Sequence, residues 1–187
     1  NLLGLFISDV SGHGVPAALI TSMVKALIDT AGESRDSPNE LFKYINNTIA
    51  NQINDNFLTA FYGIFDSENK SFTYSRAAHN PPLLIRNGYI SELTGKGKML
   101  GILKDVQYEE NTIQLQKGDK MILYTDGLTE AVNSNGDEFE DKLINLLKKE
   151  HQIPIKNLMN QIESELKIHC DNGFFDDDIC LIGMEIF

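Results

Sequence analysis

The chain has 187 residues, 42% of them hydrophobic and 23% charged, which is enough for one sizeable core and ordinary for a globular protein. A net charge of -11 and a pI of about 4.7 argue against a nucleic-acid partner, because phosphate backbones need basic patches, and no apolar run approaches the roughly 18 residues of a membrane span. Two cysteines, Cys170 and Cys180, are too few for a disulfide framework and lack the spacing of a zinc site, so a reducing cytoplasm is expected.

Asn1 leads straight into Leu2-Leu3-Gly4-Leu5 with no initiating methionine, basic region or cleavage site. The expectation is a single domain over residues 1–187, excised from a longer protein that carries its sensor or membrane segment upstream. Residues 6–20 read as strand, glycine-rich turn and helix, with Asp9 left at the mouth of the strand. An acid so placed suits a metal ion, because glycines let backbone atoms approach a ligand; the plain alternative is a loop aspartate that caps the helix. Leu19, Ile20, Met23, Val24, Leu27 and Ile28 then recur with the helical period, and Gly32 is the expected stop. Ser37-Pro38 opens a second helix whose apolar positions run through Leu41, Phe42, Ile45, Ile49 and Ile53.

From residue 58 the texture turns to strands: 58–65, a turn at 66–70, then 71–77. His79-Asn80-Pro81-Pro82 breaks the run, 83–85 resumes it, and Asn87-Gly88 is a two-residue hairpin signal returning the chain through 89–93. A glycine-rich loop over 94–101 precedes strands near 108–115 and at 120–124. Helices are expected at 138–149 and 155–168, the second opened by Pro154, before an apolar run at 179–187 that reads as a buried central strand. Helices segregated from antiparallel strands argue α+β, with two helix pairs covering the outer faces of a β-sandwich.

Acids recur at strand ends: Asp9, Asp126 after 121–124, and Asp176-Asp177-Asp178 before Ile179. If the three strands are neighbours, these carboxylates meet at one rim, where a cation would relieve their repulsion. Oxygen donors without cysteine or clustered histidine favour magnesium or manganese over zinc or copper. Taken singly, Asp126-Gly127 is a simple β-turn and the aspartate run a solvated loop.

Four ordered segments resemble a known family: Asp9-Val10-Ser11-Gly12-His13-Gly14 with Pro16-Ala17-Ala18-Leu19, Ala78-His79-Asn80-Pro81-Pro82, Tyr124-Thr125-Asp126-Gly127-Leu128-Thr129-Glu130-Ala131, and Asp177-Asp178-Ile179. They look like the metal-dependent serine/threonine phosphatases of the PPM (type 2C) family, in its bacterial SpoIIE-like branch. The resemblance implies a four-layer αββα sandwich and a two-metal Mn2+ or Mg2+ site that activates water to attack a phosphoserine or phosphothreonine. It implies Asp9 as the acid bridging both metals, the Val10 backbone carbonyl as a ligand of the second, and Asp126 and Asp177 as the other carboxylates of the first. Asp178 would orient rather than bind, and His13 is a candidate proton donor to the leaving oxygen. His79 reads as a fastener of the strand bend.

The family's usual substrate is a small phosphorylated anti-sigma-factor antagonist, and an attached sensor domain often controls activity. A Gly-Gly-Asp segment that the family carries one strand earlier is not in this chain, so N-terminal strands are expected to be missing from an edge and a homodimer could form there. Ala78 for a usual glycine, Met99 for a usual proline and Cys180 for a usual threonine are smaller departures. The alternative to an enzyme is a non-catalytic dimerisation or partner-binding module on the same fold.

Overall fold

The apolar periods resolve into strands and helices over residues 1–53, 56–170, 175 and 177–187, the part of the chain that this computed structural model describes. In chain order they are β1 (Leu2–Val10), α1 (Val15–Thr30), α2 (Pro38–Ile49), β2 (Leu58–Asp66), β3 (Ser71–Ala77), β4 (Leu83–Arg86), β5 (Tyr89–Glu92), β6 (Glu110–Gln114), β7 (Lys120–Tyr124), α3 (Asp126–Thr129), α4 (Glu140–Lys149), α5 (Ile155–His169) and β8 (Leu181–Glu185). A 3-10 helix, Gly32–Asp36, joins α1 to α2. Two compact units emerge: Asn1–His79 with Thr94–Leu115, and Asn80–Leu93 with Gln116–Phe187.

The first unit is one antiparallel sheet, ordered β1-β2-β3-β6, with α1 and α2 on one face. Leu41, Phe42, Ile45 and Ile49 of α2 are wholly buried against Leu58, Ala60, Tyr62 and Ile64 of β2, each such side chain contributing about 1.5–3 kcal/mol. The α1 stripe is narrower than its sequence suggests. Ile20 and Val24 are buried, but Leu19, one step round the helix, is 65% exposed. On the other face of β2, Phe61 is buried and stacked with Phe72 and Tyr74, and Gly63 leaves the space that the Phe72 ring fills.

Asn46 is the polar centre of this unit. Fully buried on α2, it donates from Nδ2 to the Leu103 carbonyl at 2.7 Å and accepts the Gly101 N–H at Oδ1 at 2.9 Å. One amide thus holds both walls of the glycine-rich loop, a role that helical periodicity does not announce. Ala78 stands out for its backbone: φ is +56°, a left-handed conformation that a glycine adopts freely.

The second unit is an antiparallel sheet ordered β5-β4-β7-β8, with α4 and α5 packed on it through Leu143, Leu147, Leu158 and Ile162. Asn87 and Gly88 both have positive φ, 52° and 82°, which makes the two-residue hairpin turn predicted between β4 and β5. The central strand is β7, buried at all five positions. The apolar run at 179–187 is instead the edge strand β8, half-buried throughout. Its burial comes from α5: a Cβ on Gly183 would lie 2.7 Å from Met159 Sδ, so the helix rests directly on the strand backbone.

Ion pairs hold the end of this sheet where β7 begins. The Arg86 fork reaches the buried Asp119 carboxylate at 2.9 and 2.6 Å, and that carboxylate holds the arginine's pKa above its ordinary value. Buried Lys120 donates to the His151 carbonyl at 2.8 Å and pairs with Glu185 at 3.3 Å, while the second Glu185 oxygen accepts the first N–H of α5 at 2.8 Å. No helix among the described residues is long and apolar enough to cross a membrane.

Two substitutions test this account by urea denaturation. Asn46→Ala leaves the Gly101 and Leu103 backbone groups without their partner and is expected to cost roughly 2–3 kcal/mol, and an unchanged midpoint would refute the clamp. Ala78→Gly removes the left-handed strain and is expected to add roughly 0.5–1 kcal/mol, an outcome that a loss of stability would reverse.

Candidate metal centre

Each strand that ends in a candidate acid is followed by a turn whose geometry comes from small or hydroxylated residues. β7 ends at Tyr124, and Thr125 then ties it to the segment entering β8. The Thr125 hydroxyl donates to the Asp178 carbonyl at 3.2 Å and accepts the Cys180 N–H at 2.9 Å, while the Thr125 N–H reaches the Cys180 carbonyl at 3.2 Å. Asp126 follows as the first residue of the helical turn α3, not in the simple β-turn that Asp-Gly suggests. Gly127 sits so close to the facing segment that a Cβ would lie 2.7 Å from the Asp178 carbonyl oxygen and 3.3 Å from Asp177 Cβ.

Asp126 and Asp177 are therefore brought together on adjoining backbone. Each uses Oδ1 for a neighbouring N–H, Asp126 accepting from Gly127 at 3.1 Å and Asp177 from Asp178 at 2.8 Å. Neither Oδ2 has another hydrogen bond among the described residues, and Asp177 is exposed. Asp178 acts here through its backbone, its N–H orienting Asp177 and its carbonyl receiving Thr125. Asp176 lies outside the described residues. Tyr124, just before this turn, has its pKa pushed up to about 12 by burial and by the nearby Glu92 and Glu140 carboxylates, so it remains a neutral phenol at ordinary pH.

Asp9 lies in the first unit, one residue before the end of β1, paired in register with Thr59. It does not cap α1: the N-cap position is Gly14, with no side-chain cap. Nor do the three acid-bearing strands all neighbour one another, as the sequence pattern invited. β7 pairs with β8, whereas β1 is the edge of the other sheet and pairs with β2. Sequence period cannot assign a strand to a sheet, and the helix pair between β1 and β2 looks the same in either assignment.

Val10 closes β1 opposite Leu58. Ser11 fastens the following turn, its N–H donating to the Phe57 carbonyl and its hydroxyl accepting the Phe57 N–H, both at 2.9 Å. Gly12 and Gly14 have φ of 83° and 77°, which is what turns the chain into α1. His13, between them, is exposed. His79 is buried and its Nδ1 shares a 2.8 Å hydrogen bond with the Thr59 hydroxyl, so it fastens the end of β3 to the strand beside Asp9. Thr59 was not singled out in the sequence, and Ser11 and Thr125 stood there only as members of longer segments with no role of their own, because a hydroxyl that braces a turn leaves no periodic signal.

Among the described residues no three His, Cys, Asp or Glu side chains are grouped as around a metal ion. The donors present are carboxylate oxygens held by backbone N–H groups, and the Gly127 contact keeps the two segments close, a donor set that fits a hard divalent cation better than zinc or copper.

A family model described as stage II sporulation protein E (SpoIIE) matches residues 1–187. Phosphoserine phosphatase RsbU of Bacillus subtilis is 34% identical over 137 residues, covering 72% of this chain and 41% of that protein. Among solved structures, the SiaA-PP2C domain of Pseudomonas aeruginosa is similar with a TM-score of 0.83 at 20% identity, over 100% of this chain and 80% of that one. RsbX, solved in complex with magnesium, is similar with a TM-score of 0.69 at 22% identity, over 97% of this chain and 80% of that one. These likenesses show the α+β fold of PP2C domains. The chain spans less than half the length of the curated relatives it matches, 41% and 45% of the first two. With the model matched from residue 1 to residue 187, the chain belongs to the SpoIIE family.

Proposed function

We propose that the chain is the catalytic part of a metal-dependent protein phosphatase that hydrolyses phosphoserine and phosphothreonine. The observation that carries this reading is the pair Asp126 and Asp177, fixed by backbone N–H groups with an oxygen of each to offer, in a chain whose 34%-identical relative is named a phosphoserine phosphatase. Asp126 and Asp177 would hold a first Mn2+ or Mg2+, Asp9 would bridge it to a second, and the Val10 carbonyl would serve that second ion. The magnesium in RsbX supports this choice of ion for the family. When bound, such cations supply Lewis acidity, which acidifies the attacking water and offsets charge on the phosphoryl oxygens.

The protein's own residues set the geometry for that chemistry. Asp178 aligns Asp177, Thr125 keeps the two segments in register, and Gly127 removes the side chain that would part them. His13, exposed in the turn after Asp9, is available to give a proton to the leaving serine oxygen. No covalent phosphoenzyme is needed. The substrate in this reading is a small phosphorylated anti-sigma-factor antagonist in a cytoplasmic signalling pathway, with control from a sensor domain upstream and with homodimer formation. The retained acids and the phosphatase relatives disfavour a purely non-catalytic module.

The test is manganese-dependent hydrolysis of a phosphoserine protein by the full-length protein. Asp126→Asn is expected to lower kcat/KM by at least about 100-fold, and equal turnover by both forms would overturn the metal assignment. Gly127→Ala forces the Asp126 and Asp178 segments apart and is expected to cost roughly 1–3 kcal/mol of stability and to weaken Mn2+ binding measured by calorimetry. Wild-type values for both quantities would show that the close approach has no such role.

A further inference from the structure

We propose that a basic pocket of the first unit docks an acidic segment of the phosphoprotein, a few residues from its phosphoserine; this rests on the phosphatase reading. The pocket, of about 690 Å3, lies between the end of β3 and the loop before β6, and Arg76, Lys96, Lys98 and Lys104 line it against a single carboxylate, Asp105. A quarter of the 16 basic residues thus converge on one cavity of a chain with 27 acidic ones. Lys96, Lys98 and Lys104 are exposed, and none of them is in an ion pair among the described residues. Their charge is available to an anion from outside.

The walls are fixed before any ligand arrives. Arg76 donates from Nε to the Gly95 carbonyl at 3.2 Å and from a terminal nitrogen to the His79 carbonyl at 2.9 Å, which holds the loop to the strand end. A Cβ on Gly97 would lie 2.2 Å from the Arg76 carbonyl oxygen, so the loop rests on β3 without an intervening side chain. Glu109 is occupied with the Lys96 backbone N–H at 2.8 Å. A preorganised site of this kind loses less entropy on binding than a mobile one.

The position relative to Asp9 selects the ligand. Ser8, beside Asp9, pairs with Ala60, and Ala60 is bridged to Ala78, which lines the pocket. Two strand spacings separate the pocket from β1, about 10 Å, or roughly three residues of extended peptide. A polypeptide with its phosphoserine near Asp9 therefore presents residues about three positions away to the lysines. A nucleic acid fits less well, since no aromatic ring lines the pocket to stack a base and the net charge of -11 repels a long polyanion.

The experiment compares two fluorescent phosphoserine peptides, one with aspartates two to four residues from the phosphoserine and one with glutamines there, binding to the full-length protein by anisotropy. The aspartate peptide is expected to bind roughly tenfold more tightly at low salt, an advantage that shrinks as salt rises. Lys96→Glu, Lys98→Glu and Lys104→Glu together are expected to abolish that preference, with folding checked by circular dichroism. Equal affinity for the two peptides, a preference that survives charge reversal, or tighter binding of a single-stranded oligonucleotide to the same lysines overturns the proposal. Turnover of p-nitrophenyl phosphate is followed separately: its absence tells against the phosphatase reading, while the binding preference still decides the pocket.

Discussion

Everything at the second unit's candidate acids depends on how near the chain after β7 comes to the chain before β8. The Gly127 Cα lies where any Cβ would meet the Asp178 carbonyl at 2.7 Å, and Thr125 fills the rest of the gap with three hydrogen bonds to residues 178 and 180. Two carboxylates on adjoining segments repel each other, yet each of these is held from behind by a backbone N–H, Asp126 by that of Gly127 and Asp177 by that of Asp178. The result is a pair of oxygens displayed outward without a buried, unpaired charge behind them.

That arrangement would fail if β7 and β8 slipped, because a shift of one residue turns every side chain to the opposite face. Register is secured at both ends of β7. Thr125 fixes one end, and at the other the Lys120–Glu185 pair ties β7 to β8 while the Arg86–Asp119 fork ties the residue before β7 to β4. Buried ion pairs add little net stability against an apolar alternative, since desolvation offsets most of the attraction. Their value here is positional: Asp119 and Lys120 have good partners only in the observed register.

The first unit shows the same division of labour with different chemistry. Asp9 is on a strand that pairs on one side only among the described residues, and its surroundings are tied down by Ser11 to Phe57 and by Thr59 to His79. Much of this was legible beforehand. Helical and alternating periods gave α2, the β2–β3 hairpin and the Asn87-Gly88 turn, because each is a local consequence of apolar spacing or of φ. The assignment of β1 to one sheet and β7 and β8 to another was not legible, because it rests on contacts between residues dozens of positions apart. The edge position of β8 was hidden for a related reason: its apolar side chains half-bury themselves beneath α5, and an apolar run does not say whether a helix or a flanking strand covers it.

Glycine shows most clearly where reading a sequence stops. Gly12, Gly14 and Gly88 have the positive φ expected of turns, and their neighbours advertise it. Gly63, Gly97, Gly127 and Gly183 do not; they are glycines because an aromatic ring, a strand carbonyl, a facing backbone or a helix occupies the place of a side chain. The two causes are indistinguishable in a single sequence, yet they predict different things. A turn glycine disfavours an L-residue because of its own backbone, a strain that Ala78 and Asn87 bear elsewhere in this chain, whereas a close-approach glycine is limited by its neighbour and would accept alanine wherever that neighbour can move. Phe72 and Met159 are side chains with some freedom to shift, but the Asp178 and Arg76 carbonyls belong to backbone that is already hydrogen-bonded or strand-bound. The two immovable contacts are those beneath the paired aspartates and beneath the lysine-lined pocket, so the surfaces with chemistry to offer are also the ones built on the least adjustable backbone.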